Sequence, residues 1–321
     1  MAQVAIIIGN GFDLDLGLKT RYSDFMKSPE FEEIYFNRRK IDLPISLLEH
    51  LNERAELENW FDMELAIHDY VLRHKTILTK YVHAIKEEFA RLKYALHRYM
   101  NHITLDFVAQ KDKLPVKFLH NIRYCTQTIV EIYFNYTNPR VLLNIYKYDY
   151  PKDYTFTYVH GSLIENDIVL GCDLQPGEKV NKSLSFMYKY NMLNRANHIA
   201  RDLMEATEII FYGHSVNEMD FCYFREFFKA ASASPVPKRH LTVITLNERS
   251  ERDIKDNIRN QGISVSDLYN NLEAFEFIHT SKIYKKEKEE IQKWNNMWRR
   301  LVGDDIAKYA NLYLEIPNVK T

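Results

Sequence analysis

The placement of the glycines constrains the fold of this chain more than any other feature. Only nine glycines occur among 321 residues, against a usual share of ~7%, so each one indicates a specific demand on the backbone. Six of them mark the ends of expected strands: Gly9, Gly11 and Gly17 lie close together near the start, and Gly161, Gly171 and Gly213 each close an apolar run. A glycine at such a point allows the chain to turn sharply as it leaves a buried strand. The pattern predicts a series of short strands that end in tight turns.

The apolar runs themselves indicate the type of sheet. They are short and rich in aromatic or β-branched residues, and they cover residues 4–8, 129–134, 154–159, 168–170, 209–212, 241–246 and 275–278. Several are apolar on consecutive residues without a polar face, as in parallel strands covered by helices on both sides. The sequence therefore predicts a Rossmann-like α/β fold with a mainly parallel sheet and helices on both faces.

A long helical stretch separates the first predicted strand from the second. Between Pro44 and Pro115 the chain has neither glycine nor proline, and apolar residues recur at helical spacing. A further helical pattern follows Lys282 and predicts a closing helix. We therefore expect a Rossmann-like nucleotide-binding domain formed by residues 1–20 and 126–321, with residues 21–125 as an all-helical insertion or cap.

The formal charges balance almost completely, with 43 Lys and Arg against 44 Asp and Glu. The chain thus lacks a strong positive field for nucleic acid or an anionic membrane, and we expect neither as a partner. Cys125, Cys172 and Cys222 form no C-x-x-C pair, so neither a disulfide framework nor a zinc site is expected. The apolar run near the N-terminus is too short for a secretory signal or a membrane span. These features predict a soluble cytoplasmic protein.

The first candidate site is GNGFD, residues 9–13, which follows the first predicted strand. A turn of this kind at the start of a helix offers backbone N–H groups to a phosphate, and glycine permits close approach. The dinucleotide pattern G-x-G-x-x-G would need a glycine where Leu14 stands, so an ordinary dehydrogenase is not expected. Asp13 fits this loop if it faces a sugar hydroxyl. The alternative is a tight turn in which Asp13 caps the helix.

The second candidate is IYFNYTNP, residues 132–139, where an apolar run ends in polar residues before Pro139. Ligands bind at the carboxyl ends of strands in open α/β sheets. The Asn135 amide can donate and accept at once, so it suits a ribose hydroxyl or a water molecule. The alternative is that Asn135 is an ordinary turn residue before proline.

The third candidate is His160, which ends the run TFTYVH and is followed by Gly161. Histidine is the side chain best suited to proton transfer near neutral pH, and the glycine leaves room beside it. The alternative is a buried structural histidine.

The fourth candidate is EIIFYGHSVNEMD, residues 208–220, another apolar run that ends in a glycine. Ser215 and Glu218 are spaced as a helix capping box, and that alternative makes Gly213 a turn residue and Asp220 a surface residue. The motif lacks the second glycine of G-x-S-x-G, so it does not indicate a serine hydrolase.

The fifth candidate is NWFDMELAIHDY, residues 59–70. Glu64 and His68 share a helix face at i,i+4, which supplies half of a metal site. The alternative, a partly exposed helix carrying charge pairs, accounts for the same spacing. We therefore assign no metal to this motif.

Taken in order, the motifs GNGFD, NWFDME, FNYT, VHGSL and FYGHSVNEMD resemble those of the abortive-infection protein AbiH family across nearly the whole chain. The same order is also similar to a remote sirtuin pattern, in which a glycine loop, an asparagine at a strand end and an H-G pair surround NAD. Asn135 and His160 match the polar residues of that pattern. The zinc-ribbon cysteines of true sirtuin deacylases are absent, so protein deacylation is not implied.

The resemblance implies a protein that defends bacteria against phage by disabling the infected cell, with NAD or a related nucleotide as its substrate or ligand. The implied chemistry is hydrolysis of the bond between nicotinamide and ribose through an oxocarbenium-like state. Asn135 would orient ribose and water, and His160 would act as the general base. The residues implied to bind the nucleotide are Gly9, Asn10, Gly11, Phe12, Asp13, Thr137, Gly161, Gly213, Ser215 and Asp220.

Two other functions are compatible with the sequence. One is a non-catalytic nucleotide sensor or interaction module that gates assembly, either as a homo-oligomer or with a protein partner recruited by infection. The other is a metal-dependent hydrolase of nucleotides or nucleic acid that uses Asp13, Glu64 and Asp220. Tolerance of His160→Ala would indicate the sensor, and sensitivity to chelators would indicate the metal enzyme.

Overall fold

The computed structural model has two compact units. It describes residues 3–37, 46–57, 62–105, 107–143, 154–174, 177–179, 181–189 and 198–316. Within these residues, unit 1 takes those of 1–18, 108–159 and 195–321, and unit 2 takes those of 19–107 and 160–194. The domain division predicted from the sequence, with an insertion at 21–125, stays a prediction, because compactness alone does not show which segments fold as one domain.

Unit 1 contains the sheet. Its strands are β1 (Gln3–Ile8), β2 (Thr128–Tyr133), β3 (Tyr154–Tyr158), β4 (Glu208–Tyr212), β5 (Val236–Thr245) and β6 (Leu272–His279). They lie in the order β3-β2-β1-β4-β5-β6, and every neighbouring pair is parallel. This is the strand order of a Rossmann fold, in which the order reverses between β1 and β4. The predicted fold class is confirmed.

The helices of the described residues follow in chain order. They are α1 (Asn10–Leu16), α2 (Tyr22–Phe25), α3 (Pro29–Phe36), α4 (Leu47–Leu57), α5 (Met63–Arg73), α6 (Thr79–Leu105), α7 (Leu114–Ile122), α8 (Pro139–Leu142), α9 (Ile199–Glu205), α10 (Phe221–Ala233), α11 (Glu248–Asn260), α12 (Val265–Asn271), α13 (Thr280–Tyr284), α14 (Lys288–Val302) and α15 (Asp304–Tyr309). A 3-10 helix covers Lys182–Met187. Helices α2 to α6 and the 3-10 helix belong to unit 2, and the other helices belong to unit 1.

Helices cover both faces of the sheet, as the consecutive apolar residues predict. Side chains of adjacent strand residues point to opposite faces, and two neighbours on β4 illustrate this. Phe211 packs against Phe224 of α10, with ring centroids 5.1 Å apart, whereas Tyr212 packs against Phe118 of α7 at 5.3 Å. Both β4 side chains are almost fully buried. A strand buried on both faces gains stability from every side chain, which explains why β1 and β4 have no polar face.

One predicted strand is wrong. Residues 168–170 form no strand; they are part of a loop in unit 2. The Val169 N–H donates to the His160 carbonyl at 2.8 Å, so this segment bonds back to the chain just before the loop. Its side chains are buried, and burial rather than sheet pairing accounts for their apolar character.

No helix among the described residues is both long enough and apolar enough to cross a membrane. The longest of them, α6 with 27 residues, carries charged side chains along its length.

Candidate functional site

The loops after β1 and β4 meet where the strand order reverses. A Cβ atom at Gly9 would lie 2.7 Å from the His214 Cα, and one at Gly11 would lie 2.7 Å from the Gly213 Cα. Gly213 has a φ of +67°, and a Cβ there would lie 2.2 Å from the Phe12 nitrogen. Any side chain at these three glycines would therefore force the two backbones apart. The contact between the loops explains the glycines without a ligand.

Several backbone N–H groups that the sequence predicts as phosphate donors are already hydrogen-bonded within these loops. The Gly11 N–H donates to the Gly213 carbonyl at 2.8 Å, and the Gly9 N–H donates to the Tyr212 carbonyl at 3.0 Å. The Phe12 N–H donates to the Gly9 carbonyl at 2.9 Å. A diphosphate bound here would have to compete for these three groups, so the predicted role of this loop in phosphate binding stays a prediction.

Beside these loops lies a cluster of three buried polar side chains, which we call the Asp13 cluster: Asp13, Asn135 and Thr137. Asn135 Nδ2 donates to Asp13 Oδ1 at 3.0 Å, and Thr137 Oγ1 donates to Asp13 Oδ2 at 2.6 Å. Asn135 Nδ2 also lies 3.1 Å from Thr137 Oγ1. The N-cap of α1 is Gly9, so the alternative in which Asp13 caps the helix is wrong. The cluster joins the first turn of α1 to the loop after β2.

The Asp13 carboxyl is fully buried, and its environment favours the neutral form. Loss of solvation raises its pKa to about 7, and the hydrogen bonds from Thr137 and Asn135 oppose that rise. Both donors are neutral, and no described residue forms an ion pair with Asp13. A carboxyl group with such a pKa changes its charge near neutral pH, a property that is concentrated at functional sites.

Asn135 has one acceptor left over. Its Oδ1 is buried and has no hydrogen-bond partner among the described residues. When Asp13 is ionised, this orientation of the amide is favoured, because the opposite one would place its oxygen against the Asp13 carboxylate. Buried acceptors in proteins nearly always have a partner. Asn135 Oδ1 therefore lacks the partner that a buried acceptor normally has, and the interpretation of Asn135 as a plain turn residue does not explain its contacts.

His214 is the residue that the sequence analysis missed in this region. Its Nδ1 accepts from the Val216 N–H at 2.9 Å, which puts the ring hydrogen on Nε2, 3.6 Å from Asp220 Oδ2. The ring packs edge-on against Phe134, with ring centroids 4.4 Å apart. His214 directly follows Gly213, so the strand–glycine junction that pointed to His160 would have found it as well.

The capping-box alternative for residues 208–220 is wrong. Helix α10 begins at Phe221 with Asp220 as its N-cap, and Ser215 lies on the surface well before it. Asp220 itself is buried, so it is not the surface residue that the same alternative requires. Ser215 and Asp220 therefore differ in access, and only a ligand lying on the surface would reach Ser215.

His160 and Gly161 belong to unit 2. The His160 side chain is buried, and Gly161 has a φ of +73°. A Cβ at Gly161 would lie 2.2 Å from the Asp167 carbonyl oxygen, so the return of the loop requires this glycine. Because Asn135 lies in unit 1, the predicted joint action of Asn135 and His160 stays a prediction.

Glu64 and His68 each have an ion-pair partner in unit 2. Lys189 Nζ lies 2.5 Å from Glu64 Oε2, and His68 Nε2 lies 2.8 Å from Glu178 Oε2. The charge-pair alternative thus explains both residues, although their partners come from a distant segment and the pairs are largely buried. Within the described ranges no group of three or more His, Cys, Asp or Glu side chains is arranged to hold a metal ion. Residues 59–61 of this motif lie outside the described residues.

Comparison with models of protein families identifies a match over most of the chain. The family model described as bacteriophage abortive infection AbiH matches residues 5–241. This range runs from β1 into β5 and contains every candidate site residue named above. No curated protein is similar enough to the chain to count as a match.

Proposed function

The chain belongs to the bacteriophage abortive infection AbiH family, and we propose that it serves abortive infection by binding NAD or a related adenine nucleotide beside the Asp13 cluster. The observation that carries this proposal is the buried, unpartnered Oδ1 of Asn135. This oxygen follows β2, at the carboxyl edge of the parallel sheet, where Rossmann-like folds bind their ligands.

The chemistry of the cluster suits a sugar better than a phosphate. Asn135 Oδ1 accepts a hydrogen bond, which a ribose hydroxyl can donate and a fully ionised phosphate cannot. A carboxylate close behind it repels an anion, whereas it has no such effect on a neutral hydroxyl. We therefore place the ribose, and not the diphosphate, against Asn135.

Asp13 acts in this proposal through Asn135. Both Asp13 oxygens already accept hydrogen bonds from Asn135 and Thr137, so we assign Asp13 no contact with the ligand, and its bond to Asn135 holds that amide with the oxygen turned away. Asp13 is thus a positioning residue. Since desolvation raises its pKa to about 7, the strength of this bond changes with pH over the neutral range. Ligand affinity should follow that change.

The proposed reaction is hydrolysis of NAD. Water adds to the ribose carbon, the bond to nicotinamide breaks, and the products are ADP-ribose, nicotinamide and one proton. The sequence motifs imply His160, which belongs to unit 2, as the group that accepts the proton, because an imidazole is suited to general base catalysis at neutral pH.

Calorimetric titration with NAD, ADP-ribose and ATP tests the binding site. We expect Asn135→Ala to bind at least tenfold more weakly than the wild type, since a hydrogen bond to a buried group contributes about 1.5 kcal/mol. Asn295→Ala is the matched control, because Asn295 is a buried asparagine of unit 1 whose donor and acceptor both bond to Leu314. Equal affinity of wild type and Asn135→Ala would remove the proposed site.

Product analysis then tests the reaction. Release of nicotinamide by the wild type, and none by His160→Ala that still binds the ligand, supports hydrolysis. Binding without turnover in either protein contradicts hydrolysis and assigns the nucleotide a sensing role. Loss of turnover on addition of a chelator would instead favour the metal-dependent alternative.

A further inference from the structure

Unit 2 has a cavity of its own, formed by helix α6 and the loop that follows His160. Its volume is about 340 Å³, within the range of ligand pockets in proteins. Helix α6 contributes Lys93, Tyr94 and His97, which lie on one side of the helix. The loop contributes residues 166–169. No function assigned above uses this cavity.

Lys93 is the most unusual group in the wall. Its side chain is half-buried, and its ammonium has no hydrogen-bond or ion-pair partner among the described residues. Loss of solvation lowers its pKa, and the charge of Asp167 opposes this effect from a distance. A cation held in this way gains from any anion that reaches it, because the anion replaces lost solvation.

The nearby charged groups are already engaged elsewhere. Asp167 Oδ1 accepts from the Ser162 N–H at 2.8 Å, and this bond holds the loop. Arg98, on the same helix, donates to Glu33 at 2.8 Å. Lys93 has no such partner among the described residues, so an anion can bind to it from the side away from the Asp167 carboxylate, which lines the same cavity.

The other side chains of the wall complement an anion with a flat group attached. Asn101 Nδ2 lies 3.1 Å from His97 Nδ1 and 3.3 Å from His97 Nε2, and the neutral His97 ring carries one N–H group that can donate to an anion. The Tyr94 side chain is 64% exposed; the Arg98 guanidinium lies over its ring, 5.9 Å from the ring centre, and a base can stack on the opposite face. Asn166 is exposed and adds an amide.

We propose that this cavity binds a nucleotide through its phosphate, with Lys93 and His97 on the phosphate oxygens and Tyr94 against the base. A phosphate has enough oxygens to accept from both donors at once, and lysine binds phosphate as a point charge. The site lies in unit 2, so it is separate from the ribose site proposed beside Asp13 in unit 1.

Calorimetry with AMP, inorganic phosphate and adenosine tests the proposal on the full chain. AMP should bind most tightly, phosphate more weakly and adenosine most weakly. Lys93→Met should weaken AMP binding at least tenfold. Lys86→Met is the matched control, because Lys86 is an exposed lysine of the same helix that does not line the cavity, and it should bind AMP as the wild type does.

Tyr94→Ala separates the two parts of the ligand. It should weaken AMP binding several-fold and leave phosphate binding unchanged. If Lys93→Met binds AMP like the wild type, if Lys86→Met loses as much affinity, or if neither AMP nor phosphate binds the wild type, the proposal is overturned.

The same variants keep this proposal apart from the proposed function. Asn135→Ala should still bind AMP at the cavity, and Lys93→Met should still bind NAD beside Asp13. If Lys93→Met loses NAD binding while Asn135→Ala keeps it, the cavity is a nucleotide site and the site beside Asp13 is not.

Discussion

Two carboxyl groups of unit 1 are equally buried but have different hydrogen-bond partners. Glu131 and Asp13 are both fully buried. Glu131 receives both arms of Arg140, at 3.0 Å from Nε and 2.5 Å from Nη2, together with a hydroxyl of Tyr154 at 2.9 Å. Among the described residues, the side chains that donate to Asp13 are the neutral groups of Asn135 and Thr137.

This difference separates a structural carboxylate from a candidate functional one. A buried charge with a bidentate cation and a further hydrogen bond is compensated, and such groups tie elements together. A buried carboxyl without a cation costs stability whenever it ionises, and proteins retain such groups mainly where their chemistry is used. The comparison predicts different responses of the two sites to mutation and to pH.

The largest effect is expected at the compensated site. Arg140→Met leaves the Glu131 charge buried without its cation, and we expect the free energy of unfolding to fall by about 3–5 kcal/mol. Urea denaturation at neutral pH measures this change.

The double variant Glu131→Gln with Arg140→Met is the control, because it removes the charge together with its partner. It should recover part of the lost stability. A cost of less than about 1 kcal/mol for Arg140→Met would show that Glu131 does not depend on Arg140, and the contrast with Asp13 would then collapse.

The second prediction concerns the pH dependence of stability at Asp13. Its pKa is raised to about 7 in the folded chain, whereas an unfolded Asp has a pKa of about 3.9. The folded state therefore binds the proton more tightly. The contribution is complete below about pH 4 and is lost as the pH rises through about 7, with an upper limit of about 4 kcal/mol.

Asp13→Asn should abolish that contribution. Buried groups such as Glu208 also have a raised pKa, so the informative quantity is the difference in unfolding free energy between wild type and Asp13→Asn at each pH. This difference should change in favour of the variant between pH 4 and pH 8. A constant difference would mean that Asp13 is not desolvated as described.

The third prediction compares single hydroxyl groups at the two sites. Thr137→Val removes the hydroxyl that donates to Asp13, and Asn135 is the other donor side chain within the part of the chain that the structure describes. We expect a loss of about 1.5–3 kcal/mol at pH 8, where Asp13 is charged, and a smaller loss at pH 5. Tyr154→Phe removes a hydroxyl from Glu131, which keeps Arg140, and should cost only about 0.5–1.5 kcal/mol at pH 8. Equal losses at pH 8 would contradict the comparison.

The fold could be predicted because its signals are local. Apolar runs and glycines after them reflect demands made at the same positions, such as the left-handed backbone of Gly213. The Asp13 cluster could be named in parts but not assembled, because Asp13 and Asn135 are far apart in sequence and meet only through strand pairing. The ion pairs of Glu64 and His68 could not be predicted either, because their partners lie beyond residue 170 and are distant in sequence. Residues 168–170 have the sequence of a strand without forming one, because burial in a loop selects the same side chains as burial in a strand.

The smallest effect is expected at Asp15, which lies two residues beyond Asp13 on α1 and provides an intermediate case. Its carboxylate accepts from the Tyr212 hydroxyl at 2.6 Å, is partly exposed and lies near the cation of Lys113. Desolvation raises its pKa, and the hydrogen bond from Tyr212 opposes the rise. The sign is the same as for Asp13, so stability from this group is lost as the pH rises. Asp15 is partly exposed and has a cation nearby. We therefore expect Asp15→Asn to abolish a much smaller pH-dependent part of the unfolding free energy than Asp13→Asn does. If the two changes were equal, burial without a cation would not be what distinguishes Asp13.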